Sequence, residues 1–228
     1  MDSNRYSRAV VTTYPATAGV EINKVLKNTY MLLAMTLLFS AAVAGVSMAY
    51  NWPHPGLIVT LVGYFALLFL TSKFRDSGLG ILLVFALTGF MGLTLGPIIG
   101  MYLKAFPNGH QLVMTAMGGT GAIFLGLSAY AVTSRKDFSF IGGFLFAGIL
   151  VAFLAGLGAA IFQIPALALA VSAMFVLLMS ALILFETSNI IHGGETNYIM
   201  ATVSLYVSIY NLFTSLLHLL GIFGGSDD

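Results

Sequence analysis

Seven apolar stretches follow one another along this chain, separated by short polar turns, at residues of about 30–50, 57–72, 79–103, 111–132, 138–162, 166–191 and 198–223. Each exceeds or approaches the ~20 residues that an α-helix needs to cross a bilayer. Lipid offers no partner to a backbone N–H or C=O, so a spanning segment must close its hydrogen bonds within itself. Runs of this length do so as helices. Composition agrees: 59% of the 228 residues are hydrophobic and 7% are charged, against about 25% charged in soluble domains. The sequence therefore predicts an all-α membrane protein, a seven-transmembrane helix bundle over residues 24–228 preceded by a flexible tail over residues 1–23.

That tail is polar, rich in Ser, Thr, Asn and Tyr, and lacks a sustained hydrophobic period. It has no apolar core of the signal-peptide kind, so the first helix is expected to act as its own insertion signal. The turn Asn51-Trp52-Pro53-His54-Pro55-Gly56 ends the first span, with Trp52 at the depth that aromatic belts favour. Gly96-Pro97 is expected to kink the third span. Basic residues set the orientation. Arg5, Arg8, Lys24, Lys27, Lys73, Arg75, Arg135 and Lys136 fall on one side, and Lys104 alone on the other. Cytoplasmic loops carry the excess of Lys and Arg, which places the tail in the cytoplasm and, after seven spans, the C-terminus outside.

Lipid gives helices no hydrophobic reason to associate, so their contacts rely on small residues that let backbones approach. Gly92, Gly96 and Gly100 form such a stripe on the third span, and Gly148, Ala152, Gly156 and Ala160 on the fifth. Packing within one bundle is the expected use of both.

Several chemistries are excluded or weak. Without cysteine there are no disulfides, thiolates or Cys-based metal sites, and no basic cluster suits a nucleic-acid backbone. Gly126-Leu127-Ser128-Ala129 has the look of a serine nucleophile motif, with His218 as its base. However, Ser128 lies one turn from the cytoplasmic end of its helix, and His218 lies about twenty residues, or ~30 Å, into an outward-running helix. A nucleophile and its base must sit within ~3.2 Å. No Asp lies inside a span, and four scattered histidines make no metal cluster. His54 and His110 fall in outside turns as solvated residues, and His218 reads as an interfacial side chain. No enzyme activity and no cofactor are expected.

One residue stands out. Glu186 is the only acidic side chain within the apolar segments, just before the turn His192-Gly193-Gly194-Glu195-Thr196-Asn197. An ionisable group in hydrocarbon costs at least ~2.5–3.5 kcal/mol on insertion scales, so it faces protein or water and marks function. Tyr206, Tyr210 and Asn211 are expected to line up with it as hydrogen-bond partners, and Lys73 and Arg75 lie at the same cytoplasmic depth.

The residues around Glu186 carry a resemblance. Leu184-Phe185-Glu186-Thr187-Ser188-Asn189-Ile190-Ile191, then Glu195 with Tyr198, then the run from Ser204 to Phe213 resemble the signature of the Bax inhibitor-1 family. The span count, Gly96-Pro97-Ile98 and the short turns agree, and the similarity covers the chain after about Val25. Among family members it is similar to proteobacterial inner-membrane proteins that modulate the membrane-anchored ATP-dependent protease FtsH. The resemblance thus implies FtsH as partner and the bacterial inner membrane as location. It implies a second activity too, a pH-sensitive calcium leak, which in relatives depends on two carboxylates sharing a proton. This chain has Glu186 at the first acidic position and Ser208 at the second. The candidate ion site is therefore Glu186, Ser208, Lys73 and Arg75, with a cation as its ligand and one of the two carboxylates missing.

Overall fold

Breaks in the helical pattern fall where proline, glycine or a short polar run interrupts the apolar residues. The computed structural model describes residues 16–224, with side chains from residue 21. Its helices are α1 (Ala16–Ala49), α2 (Leu57–Lys73), α3 (Gly78–Ala105), α4 (Gly109–Ser134), α5 (Gly142–Phe162), α6 (Pro165–Ile191) and α7 (Tyr198–Gly224), with one 3-10 turn at Ser139–Ile141 before α5. Helix α1 begins at Ala16, eight residues before the expected start at Lys24. The rest of the expected flexible tail lies outside the described residues. Proline opens α6 at its first position, where its missing N–H costs no hydrogen bond. Arg135 (φ 49°) and Gln163 (φ 52°) close α4 and α5 in the left-handed conformation.

Six of these helices are long and apolar enough to cross a membrane. The seventh, α2, has 17 residues and is about 25 Å long at 1.5 Å per residue.

Helix α7 occupies the centre, packed against α1, α3, α4 and α6, whereas α2 leans on α3 and α5 leans on α6. Leu33, Val84, Leu87, Ile190, Ile199 and Leu205 form the main buried cluster around it. Both small-residue stripes serve this packing, except for Ala160 at the end of the α5 stripe, which is exposed. A Cβ at Gly96 would come 2.6 Å from the Ala44 carbonyl and 2.7 Å from Ser47 Cβ, so only glycine lets α3 and α1 lie so close. On α5, a Cβ at Gly148 would meet Leu178 of α6 at 2.8 Å, and Ala152 is fully buried.

Pro97 stays inside a continuous α3. Having no N–H, it leaves the carbonyl four residues back without its helical partner. That carbonyl is Leu93 O, and the Ser47 hydroxyl of α1 donates to it at 3.0 Å. The bond strengthens the α1–α3 contact where the sequence suggested only a kink.

The turns gather at two faces. On one, Asn197 Nδ2 donates to Arg75 O at 3.2 Å and to Asp76 Oδ1 at 2.8 Å, joining the α6–α7 and α2–α3 turns. His192 reaches Arg135 O of the α4–α5 turn. This is the basic face. On the opposite face Lys104 Nζ donates to Asn51 Oδ1, and Asn108 Nδ2 to Gly224 O, both at 2.7 Å.

Candidate functional site

The α6–α7 turn brings the site together. Gly193, at φ 76°, takes a backbone shape that glycine adopts without strain. Asn197 then starts α7, its Oδ1 accepting the N–H groups of Ile199 and Met200 at 3.0 and 3.1 Å. Glu195 Oε1 accepts the Asn197 N–H at 2.7 Å. With α7 beginning at Tyr198, residues equidistant from the turn face each other across the hairpin. Glu186 stands five residues before the end of α6, and Ser204 stands six after the start of α7.

Glu186 is half-buried, and its Oε1 accepts a hydrogen bond from Ser204 Oγ at 2.9 Å. Ser204 was missed as its partner, although counting outward from the turn at equal depth would have found it. The expected partners are engaged elsewhere, and that alignment is corrected. Ser40 shares a hydrogen bond with Tyr206 OH, which donates to Thr88 O; Tyr210 OH meets Thr94 Oγ1 at 3.0 Å; Asn211 Nδ2 donates to Val207 O. Tyr206 and Tyr210 turn toward α1 and α3, and Asn211 folds back onto its own helix. Ser208 is fully buried, and its hydroxyl donates to Ser204 O one turn back in its own helix, at 2.9 Å.

Lys73 and Arg75 stand apart from the carboxylate. Lys73 Nζ lies 5.8 Å from the Phe74 ring centroid, and Arg75 Nε lies 3.7 Å from Asp76 Oδ2, both of them exposed. The structure thus brings Glu186 to α7, and the backbone of Arg75 to the α6–α7 turn through Asn197. It does not bring either cationic group onto Glu186.

Around the carboxylate, hydroxyls hold the helix ends. Thr187 Oγ1 lies 3.2 Å from Tyr30 OH of α1 and 3.4 Å from Ser128 Oγ of α4. Ser188 Oγ donates to Lys136 O at 3.0 Å and accepts the Phe138 N–H at 3.1 Å. His192 places Nδ1 2.8 Å from Ser188 O and Nε2 3.1 Å from Arg135 O. Carbonyl oxygens only accept, so both bonds exist together when both ring nitrogens carry protons. Nearby, the Ser139 backbone N–H donates to Asp137 at 2.8 Å and holds its carboxyl below the usual value, with help from His192. As for the proposed nucleophile and base, Ser128 meets Thr187, while His218 Nδ1 meets Ser172 Oγ at 2.7 Å. His218 is tied to α6 rather than lying loose at the interface.

Known proteins share this chain's sequence over almost its whole length. The family model described as "Inhibitor of apoptosis-promoting Bax1" matches residues 22–225. An uncharacterized protein of Pseudomonas aeruginosa is 56% identical over 207 residues, covering 91% of this chain and 93% of its own. The protein named "Modulator of FtsH protease YccA" from Escherichia coli K12 is 54% identical over 215 residues, covering 94% of this chain and 97% of its own. In another Escherichia coli strain a relative with the same identity and coverage is named "Inner membrane protein YccA".

Proposed function

Because the chain belongs to the Bax inhibitor-1 family, we propose that it is a seven-span inner-membrane protein that binds FtsH and restrains it. The observation that carries this reading is the 54% identity, over 94% of the chain, to a protein named as a modulator of that protease. In this reading α2 is the seventh span. Its 17 residues meet the lower limit of about 17 that a crossing helix requires. Residues 1–19 serve as the handle that the protease engages from the cytoplasm, on the side where the basic turns gather. The bundle then acts as a slow substrate that occupies the enzyme and delays its handling of other membrane proteins.

Copurification from membranes tests the proposal. The full chain retains FtsH, and a chain lacking residues 1–19 loses it and persists longer in cells that contain the protease. Equal capture and equal lifetime of the two forms would overturn the handle, and no capture of either would overturn the partner.

A calcium leak is the second reading, favoured by one observation: a carboxylate kept half-buried within a membrane-spanning helix. Its second acidic position is filled by a hydroxyl turned back onto its own helix. Two adjacent carboxylates share a proton because both cannot comfortably ionise side by side. Glu186 with Ser204 has no such pair. If the carboxylate of Ser208→Asp, one turn beyond Ser204, reaches Glu186, it rebuilds the pair and calcium flux into proteoliposomes then depends on pH between 6 and 8, while the natural chain shows little dependence. A strong pH-gated flux through the natural chain, abolished by Glu186→Gln, would favour the leak over the binding role.

A further inference from the structure

A cleft runs between α1 and α4 from the opposite face to the middle of the bundle. One wall is the α1 stripe from Leu37 to Met48, and the other is the α4 stripe from His110 to Phe124; Tyr206 and Tyr210 close the inner end. At 1.5 Å per residue these walls are about 16 and 21 Å long. A bilayer's hydrocarbon is ~30 Å thick, so the cleft is as long as one leaflet is deep. Its volume of about 560 Å³, spread along walls of about 16–21 Å, makes a narrow groove with an almost wholly apolar lining. A helix with its side chains is ~10–12 Å wide, and a single hydrocarbon chain, being slimmer, suits a groove of this kind better.

The rim supplies a charge. Leu103 lines the mouth, and the next residue, Lys104, is the sole Lys or Arg in the turns of this face. Its ammonium donates to Asn51 Oδ1, and among the described residues no carboxylate lies within 4.0 Å of it. A second cavity of about 250 Å³, lined by Lys104, Asn51, Trp52 and His54, adjoins the cleft across Met48, which lines both. His54 Nδ1 accepts the Gly56 N–H at 3.0 Å, so the ring proton sits on Nε2 as a free donor. Tyr50 stacks on Trp52 at 6.4 Å between centroids, an aromatic pair suited to headgroup depth. Apolar length, a cationic rim and an interfacial aromatic pair occur at one place.

We propose that this cleft binds one anionic phospholipid of that leaflet, with an acyl chain between α1 and α4 and its phosphate at Lys104 and His54. Exposed Met114 and Met117 on the α4 wall provide unbranched, adaptable surface for the chain.

The test uses the full-length protein in mild detergent, titrated with phosphatidylglycerol or phosphatidylethanolamine and read by native mass spectrometry. One phosphatidylglycerol is expected to bind per chain, more tightly than phosphatidylethanolamine. Gly45→Leu with Gly121→Leu fills the cleft from both walls; a Cβ at either position meets nothing within 4 Å. That pair should weaken binding about tenfold or more, while Gly118→Leu, equally open but outside the cleft, leaves it unchanged. Lys104→Gln should abolish the preference for the anionic lipid and spare chain binding. Inorganic phosphate should not compete. Trp52, the only tryptophan, gives a second measurement that needs no variant: a phospholipid with a nitroxide headgroup should quench it with saturation at one lipid per chain. Unchanged binding in the filled cleft, competition by free phosphate, unsaturable quenching, or a second protein chain retained there would each overturn the proposal.

Discussion

Helices α5 and α7 invert the rule that water-soluble proteins teach. No residue of α5 carries a polar side chain, yet only Leu145, Ala152 and Ala159 of its 21 residues are buried. Helix α7 carries Thr202, Ser204, Tyr206, Ser208, Tyr210, Asn211, Thr214, Ser215 and His218, yet twelve of its 27 residues are buried and it sits at the centre. In lipid, burying a leucine against protein gains nothing from the hydrophobic effect, because acyl chains are equally apolar. A hydroxyl gains a partner only inside the bundle. The polar helix therefore goes to the middle and the apolar one to the rim.

The largest expected effect comes from putting a charge on the rim helix. Leu154 of α5 is 57% exposed, and Leu154→Asp should cost about 2.5–3.5 kcal/mol of insertion. A reporter of membrane integration would register it, and normal insertion would mean that α5 does not face lipid. Next, Leu205 of α7 is fully buried. Leu205→Ala should destabilise the folded bundle by about 1–3 kcal/mol, below the usual 2–5 for soluble cores because the transfer component is missing. Leu154→Ala should stay within about 0.5 kcal/mol. Reversible unfolding in mixed micelles compares the two, and equal losses would end the distinction between centre and rim.

A smaller effect should follow from Tyr206→Phe, which removes the donor to Thr88 O and the acceptor for Ser40. Membrane hydrogen bonds average about 0.6 kcal/mol and reach about 1.7. A loss in that range, larger than for any α5 substitution of equal volume, would support hydroxyls as the cohesion of α7. The smallest effect lies at the basic face. Asp137 is exposed, and its folded carboxyl titrates below the unfolded value of about 3.9. Its contribution is therefore present above that value and fades as pH falls through the folded one. Natural chain and Asp137→Asn should differ in melting temperature at pH 6 and converge toward pH 3; a gap that widens on acidification would refute the sign.

Much of the architecture was legible. The apolar runs located all seven helices, and α6 and α7 end within a residue of expectation. The glycine stripe on α3 packs inward as read, as do Gly148, Ala152 and Gly156 on α5, whereas Ala160 is exposed. At the site, Glu186 was legible as the one acid in an apolar run. Its partner was not. Tyr206 and Tyr210 fit the idea of polar groups on a shared helix, but they lie two and six residues past Ser204, so the helical twist and rise carry them to other neighbours.

What this sequence determined by itself is what depends on each segment alone: which stretches prefer lipid to water, which ends carry basic charge, and which faces are small enough for close contact. These follow from transfer free energies and from the 3.6-residue repeat, and both are local. Only the tertiary structure decided that Ser204 faces Glu186, that Ser47 takes up the carbonyl freed by Pro97, and that α1 and α4 leave a cleft one leaflet deep. Each of these depends on the relative rotation and height of two helices. A shift of one residue turns a helix by about 100° and raises it by about 1.5 Å, enough to exchange one hydrogen-bond partner for another.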